Sequence, residues 1–209
     1  MTVAGQRRRR APAMSPEDRR DSIVRATLPL LAEHGGNVTT SQIARAAGIA
    51  EGTVFRVFAD KKELIGACLE AAFRPDGLAA ELTAIPATEG LHKSLVRAVR
   101  AIGAHVDRLG SLMQGLAASG YRQDDRENAD GEDGPMRHLA PISQALSALL
   151  APHDAQLRLG AERSTGYLMG LVFVDRLAGR FGGTTADPEE LVDLFLRGAG
   201  SSTEEGPQA

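Results

Sequence analysis

Arg56 and Phe55 are neighbouring side chains of the kinds that read a DNA duplex. A guanidinium can bond a guanine edge or a phosphate, and an aromatic ring can pack against the methyl group of thymine. Helical spacing would turn Val54 and Phe58 inward, so that the opposite side of the same short helix faces outward. That outward side consists of Glu51, Gly52, Thr53, Phe55, Arg56 and Val57.

A capped helix and a glycine turn precede this surface and would position it. Thr39 can accept a hydrogen bond from the backbone N–H of Gln42, whose side chain can reach back to Thr39 in a capping box. Gly48 stands where the helix must end at a positive φ, and Ile49 can fill the junction with the next helix. We therefore predict a helix-turn-helix over residues 39–58 and, from it, DNA binding. Similar helix pairs in helical proteins that never bind DNA leave a purely structural role as the alternative.

The order of these residues resembles the tetracycline-repressor (TetR) family of transcriptional regulators. The shared features are the threonine pair, Ile-Ala, Ala-Gly, Gly-Thr, a second phenylalanine and a following lysine, and they cover Arg20 to about Leu64. Beyond Leu64, only the helical character and residues 187–198 look like the family. The resemblance implies an all-α fold and a homodimer on a palindromic operator in double-stranded DNA. It also implies a repressor that a small apolar or aromatic ligand releases.

The resemblance also implies individual DNA contacts. Thr40 would touch a phosphate, Ser41 would lie close to the bases, and Lys61 would hold a phosphate just before a helix that Asp60 can cap. Phe55 replaces the usual tyrosine and Val57 the frequent histidine, and both changes remove a polar contact. The implied DNA-binding residues are Thr40, Ser41, Glu51, Gly52, Thr53, Phe55, Arg56, Val57 and Lys61.

Charge is distributed unevenly along the 209 residues. Residues 1–65 contain 11 Lys and Arg against 7 Asp and Glu, whereas the remainder contains 13 against 20. Positive potential therefore coincides with the motif, although the whole chain has a net charge of −3. Four consecutive arginines, Arg7 to Arg10, lie in a segment without apolar periodicity. We expect residues 1–15 to be a disordered basic arm that either adds phosphate or minor-groove contacts or only aids solubility.

The apolar pattern predicts a small N-terminal helical domain followed by a larger one. We expect a helix-turn-helix domain over residues 16–65, a regulatory and dimerisation domain over 66–198, and a flexible tail over 199–209. The acidic stretch 122–135 predicts an exposed loop. The predicted helices run from Ser15 or Asp18 to Gly35, with a bend at Pro29, and then over 61–73, 76–83, 88–108, 136–150, 155–181 and 188–198.

Two further surfaces are predicted in the larger domain. We expect a ligand pocket among the helices of residues 61–181 and a four-helix dimer interface from the last two helices. Ordinary hydrophobic core is the alternative for both sets. The predicted pocket residues are Phe73, His105, Leu109, Met113, Leu116, Tyr121 and Met169. The predicted interface residues are Leu168, Leu171, Val172, Leu191, Leu194 and Phe195.

An enzyme is the competing class of protein, and the sequence does not favour it. No serine, nor Cys68, lies in a nucleophile elbow, no histidine pair has metal-ligand spacing, and no phosphate-binding glycine loop follows a strand. We expect no catalytic site, metal or cofactor. One cysteine fits a reducing cytoplasm, and the lack of a long apolar run predicts a soluble protein without membrane contact. A ligand-independent repressor or activator of the same fold remains as a further alternative.

Overall fold

The computed structural model describes residues 14–121 and 138–199, and its regular elements there are helices. The all-α prediction is confirmed. The basic arm up to residue 13, the acidic stretch from residue 122 and the tail from residue 200 lie outside the described residues. The nine α-helices of the described ranges are α1 Pro16–His34, α2 Thr40–Ala47, α3 Glu51–Val57, α4 Lys61–Phe73, α5 Asp76–Thr83, α6 Leu91–Ala118, α7 Leu139–Leu150, α8 Gly160–Arg180 and α9 Pro188–Ala199.

Side-chain caps fix the starts of three helices where the sequence predicts them. The backbone N–H of Asp18 donates to Ser15 Oγ at 3.0 Å at the start of α1. Asp60 accepts from the N–H of Glu63 at 2.8 Å at the start of α4, and Asp187 caps α9 in the same way at 3.0 Å. Each cap satisfies a donor that the helix itself leaves unpaired. Helix α1 continues through Pro29 without a break.

The buried side chains form two hydrophobic clusters. The N-terminal core joins α1 to α4 around Ile23, Leu31 and Phe58, each at most 1% exposed, and the C-terminal core joins α5 to α9. Leu112 and Leu116 of α6 belong to the N-terminal core, although Leu95 and Val99 of the same helix belong to the other. Helix α6 is therefore shared by both cores and connects them mechanically.

Helix α6 ends at Ala118, ten residues beyond the predicted end at Arg108. Gly115 in the additional turns permits close packing against α1. A Cβ atom on Gly115 would lie 2.6 Å from the carbonyl oxygen of Leu31 in α1. Gly35, at φ 55°, would place a Cβ against the carbonyl oxygen of Gly115, and the N–H of Gly36 donates to Ser119 Oγ at 2.6 Å. Glycine at these positions lets the backbones of α1 and α6 touch.

Helix α8 begins five residues later than predicted. A 3-10 turn, Ala151–Gln156, occupies the space before it, and Asp154 in that turn accepts from the N–H of Ala161 at 2.6 Å. The predicted start at 155 is therefore wrong. The cap comes from a residue seven positions earlier, a separation that local capping patterns do not include.

Replacing Gly115 by alanine tests the close contact of α1 and α6. The added Cβ must push two backbones apart, so the free energy of unfolding should fall by about 1–3 kcal/mol, the usual cost of overpacking. Gly66→Ala is the matched control, because a Cβ on this helical glycine meets no atom within 4 Å. The control should stabilise the protein by up to about 1 kcal/mol through helix propensity. Urea unfolding of both variants measures the difference, and equal effects would refute the contact.

Candidate nucleic-acid interface

The predicted helix-turn-helix is present with its capping interactions. The N–H of Gln42 donates to Thr39 Oγ1 at 3.2 Å, and the N–H of Thr39 donates to Gln42 Oε1 at 2.7 Å. Gly48 adopts φ 66° and ψ 32°, the left-handed conformation that ends α2. The N–H of Ile49 then donates to the carbonyl of Ala44 at 2.9 Å, which closes the turn before α3.

Helix α3 buries one side and presents the other to the surroundings, as the sequence predicts. Val54 and Phe58 are 2% and 1% exposed, and both belong to the N-terminal core. Phe55 is 53% exposed, and Arg56, Glu51 and Gly52 are also exposed, whereas Thr53 and Val57 are half-buried. A guanidinium and an aromatic ring therefore stand side by side on an accessible helix, where a major groove could receive them.

Thr40 has a protein partner that the sequence analysis does not predict. Its hydroxyl donates to Glu51 Oε1 at 2.7 Å and so ties the start of α2 to the start of α3. A phosphate oxygen could accept from Thr40 only in place of this carboxylate. The pair spans eleven residues and bridges two helices, so no local pattern indicates it.

Arg20 of α1 holds the end of α3 and the start of α4 together. Its Nη1 lies 2.9 Å from Glu63 Oε1 and 3.5 Å from the carbonyl oxygen of Val57. Its Cζ lies 4.3 Å from the centroid of the Phe58 ring, a cation-π contact. Three elements far apart in sequence meet at this one guanidinium, which explains why sequence reasoning missed its role.

The N-terminal end of α1 lies beside α3 and carries charges of both signs. A groove of about 710 Å³ lies between the two helices, and its charged lining residues are Glu17, Arg19, Arg20 and Arg56. Lys61, the first residue of α4, is half-buried, and Ser41 is exposed on α2. The contacts of these residues with DNA remain predictions. Arg19 is a further guanidinium beside α3, with Glu17 in the same lining, and the motif does not predict it.

The seven predicted pocket residues are divided between the two cores and the surface, and a ligand pocket among them remains a prediction. Phe73, Leu116 and Tyr121 pack in or against the N-terminal core, whereas Met169 packs against the C-terminal core. His105 and Leu116 lie on the same helix about 16 Å apart, because eleven residues separate them at about 1.5 Å each. Burial lowers the pKa of His105, assisted by the charge of Arg108. Leu109 is half-buried and Met113 is 36% exposed.

Most of the predicted interface residues are core residues of a single chain. Leu168, Val172, Leu191 and Phe195 are between 0% and 6% exposed, and Leu171 is partly buried against the same core. This part of the prediction is wrong, because α8 is apolar on two faces and periodicity alone does not say which face packs inside. Leu194 is 61% exposed. The exposed apolar side chains of α8 and its end are Tyr167, Phe173, Val174, Leu177 and Phe181.

The cap, the left-handed glycine and the outward side of α3 place the protein in the helix-turn-helix class of DNA-binding proteins. Residues 23–68 match the family model of bacterial regulatory proteins of the tetR family. Residues 23–68 therefore carry the N-terminal helix-turn-helix domain that characterises DNA-binding regulators of this family. Within the described ranges, no helix is both long and apolar enough to cross a membrane.

Solved structures share this fold over most of the chain. A TetR-family regulator of Mesorhizobium loti is 18% identical at a TM-score of 0.62, with 89% of this chain and 98% of that one covered. One from Streptomyces coelicolor is 24% identical at a TM-score of 0.56, with 88% and 80% covered. The fatty acid degradation regulator FadR of Bacillus halodurans is 18% identical at a TM-score of 0.52, with 91% and 95% covered. The likeness extends the shared fold beyond the matched N-terminal residues.

The contacts of Glu63 predict an acid-sensitive component of stability. A hydrogen bond from the backbone of Ala59 and another from Arg20 lower the pKa of this carboxyl. Its stabilising effect is therefore complete above the ordinary pKa of glutamate, about 4.3, and is lost as pH falls through the lower folded value. Glu63→Gln should reduce the loss of stability between about pH 5 and pH 3, measured by urea unfolding. Glu81→Gln, an exposed change on α5, should keep the wild-type slope, and equal slopes in all three proteins would contradict the assignment.

Proposed function

We propose that the protein is a repressor that binds a palindromic operator as a homodimer and leaves it when a small molecule binds the larger domain. The observation that carries the proposal is the division of α3 between buried Val54 and Phe58 and exposed Phe55 and Arg56. An inserted helix needs such an outward side to reach base edges. Two-fold symmetry of the protein would be matched by two half-sites in the DNA.

The proposed contacts divide into base reading and phosphate binding. Arg56 is assigned to a guanine edge and Phe55 to a thymine methyl group, since both are exposed on α3. Lys61 is assigned to a phosphate of the flanking DNA backbone and Ser41 to the adjoining bases. Thr40 is assigned to a second phosphate, which its hydroxyl can bond once it no longer bonds Glu51. The remaining contacts proposed for the recognition surface are Glu51, Gly52, Thr53 and Val57.

Selection of bound sequences from a random duplex pool, followed by two substitutions, tests this assignment. Arg56→Ala should weaken binding to the selected operator by roughly 1–3 kcal/mol and relax the preference at one base pair per half-site. Lys61→Ala should weaken binding to all DNA sequences alike. It should also reduce the slope of log affinity against log salt concentration by about one for each phosphate that the lysine no longer neutralises. Lys93→Ala on α6 is the control and should change neither quantity. Selection of no common sequence, or an unchanged operator affinity in Arg56→Ala, would refute base reading by α3.

A homodimer is proposed through the exposed apolar face of α8, with Leu194 of α9 at its margin. Phe173, Val174 and Phe181 are 55%, 62% and 83% exposed in the single chain. Gly166 and Gly170 lie among them on α8, and a Cβ on either would meet no atom within 4 Å. Several large apolar side chains on one helix, beside glycines that permit close approach, favour packing against a second copy.

Val174→Asp tests the dimer, because the buried carboxylate would lack a partner in an apolar interface. The variant should fold as a monomer at micromolar concentration and should lose operator affinity, since each half-site would be bound separately. Leu139→Asp is the control, because Leu139 is 40% exposed but lies on α7. Sedimentation equilibrium measures the mass of each protein. If the Val174→Asp variant is still a dimer and binds the operator normally, the exposed face of α8 is not the dimer interface.

The shared helix α6 is the proposed route from ligand to DNA. Its C-terminal part touches α1 at Gly115, and its N-terminal part packs in the C-terminal core. A shift of α6 along or away from α1 would move the domain that carries α3. Because a dimer reads two grooves at fixed spacing, a small change in each half would lower operator affinity.

A further inference from the structure

We propose that a groove between α6 and the end of α8 binds a small carboxylate. The inference rests on the proposed function, because it supplies the chemical class of the ligand that would release the operator. The groove has a volume of about 350 Å³, within the range of sites for small organic molecules. Its lining residues are Asp107, Ser111, Gln114, Arg176, Gly179, Arg180, Gly183 and Thr185.

Two glycines of α6 make room for the two arginines of α8. A Cβ on Gly103 would lie 3.0 Å from Arg176 Nε, and a Cβ on Gly110 would overlap the guanidinium of Arg180. The glycines are seven residues, or about two turns, apart and the arginines four residues, or about one turn, so each pair lies on one side of its helix. Both guanidinium groups are therefore held against the backbone of α6 in fixed positions.

Arg180 is positively charged without a carboxylate partner among the described residues. Its Nη2 donates to the carbonyl oxygens of Val106 at 2.8 Å and Asp107 at 3.3 Å. These two bonds fix the guanidinium and leave its Nε and Nη1 donors without a hydrogen bond in the described part of the chain. A carboxylate can accept two parallel hydrogen bonds from such a planar group.

Arg176 lies between two carboxylates but keeps an unsatisfied donor. Its Nε is buried without a hydrogen-bond partner, and Asp175 Oδ2 lies 3.5 Å away, also buried and without a hydrogen bond. Its Nη1 lies 3.6 Å from Asp107 Oδ2, a long ion pair with a half-exposed carboxylate. A buried donor without a partner is costly, so the guanidinium gains from any further acceptor.

The charges of the lining favour a monoanion. Asp107 and Asp175 both lie within 4 Å of Arg176, so Arg180 is the lining cation that lacks a carboxylate partner among the described residues. A doubly charged phosphate would exceed this single charge and would also face repulsion from Asp107. Gln114 and Thr185 add neutral polar groups, while the hydroxyl of Ser111 already donates to the carbonyl oxygen of Asp107 at 2.9 Å. A carboxylate with a short organic body fits both the charge and the volume.

The groove adjoins the contact between α6 and α1. Gly115, which touches α1, follows Gln114 of the groove directly in the same helix. A carboxylate that bridges α6 and α8 would therefore act on the helix that contacts the DNA-binding domain. By linkage, any loss of operator affinity on carboxylate binding must equal the loss of carboxylate affinity on operator binding.

Calorimetric titration of the full chain without DNA tests the site, with benzoate and butyrate as probes and their neutral amides as controls. At constant ionic strength, at least one carboxylate should bind and raise the unfolding temperature, whereas benzamide, butyramide and inorganic phosphate should not. Arg180→Gln should weaken binding of the carboxylate at least tenfold. Arg108→Gln, which removes an exposed charge outside the groove, should leave it unchanged.

Asp107→Asn keeps the test decisive if Arg180→Gln folds poorly. Removal of this negative charge should tighten carboxylate binding several-fold, because it ends the repulsion between Asp107 and the ligand and leaves Arg176 with one carboxylate instead of two. The proposal is overturned by weaker binding in Asp107→Asn, by equal binding of the amides, by preferential binding of phosphate, or by no response to either carboxylate. Operator affinity, measured separately by fluorescence anisotropy, distinguishes failure of the carboxylate site from failure of the proposed function. If the wild-type protein binds its operator but no carboxylate, only the carboxylate site is refuted. If it binds no operator, the proposed function is refuted.

Discussion

The position of Phe58 controls the surface through which this protein meets DNA. The ring is 1% exposed in the N-terminal core, and the guanidinium of Arg20 covers it while bonding Glu63 and the end of α3. Burial of this ring and of Val54 sets the rotation of α3 about its own axis. Because successive helical residues differ by about 100°, that rotation decides that Phe55 and Arg56 face outward.

A second constraint joins the DNA-binding domain to the rest of the chain. Gly35 and Gly115 allow the backbones of α1 and α6 to touch, and the hydroxyl of Ser119 accepts from the N–H of Gly36. Backbone contacts leave little room for adjustment, since no flexible side chain lies between the helices. Movement of α6 must therefore be transmitted to α1 or must break this contact. The same helix receives the arginines of α8 at Gly103 and Gly110.

Local patterns predicted the parts of the structure that depend on near neighbours in sequence. The capping box of Thr39 and Gln42, the left-handed Gly48 and the inward side of α3 all follow from residues at most seven positions apart. Contacts between distant segments were not predicted. The bond between Thr40 and Glu51 and the role of Arg20 depend on how helices cross.

The two faces of α8 and the glycines of α6 also show that sequence patterns do not predict contacts between distant segments. Apolar residues on α8 could face the core or a second protein, and the sequence alone assigned Leu168 and Val172 to the wrong one. The predicted end of α6 at Arg108 was ten residues early, and its glycines permit α1 and α8 to approach the helix. In both cases the deciding information is the identity of the neighbouring element, which periodicity does not contain.

The sharing of α6 between the two cores also bears on how this protein could be divided or recombined. Leu112 and Leu116 complete the N-terminal core, so a fragment that ends after α4 would leave apolar side chains of α1 uncovered by α6. The smallest self-sufficient DNA-reading unit is therefore discontinuous in sequence. A chimera that keeps the helix-turn-helix on a complete core must carry the last turns of α6 across with the first four helices.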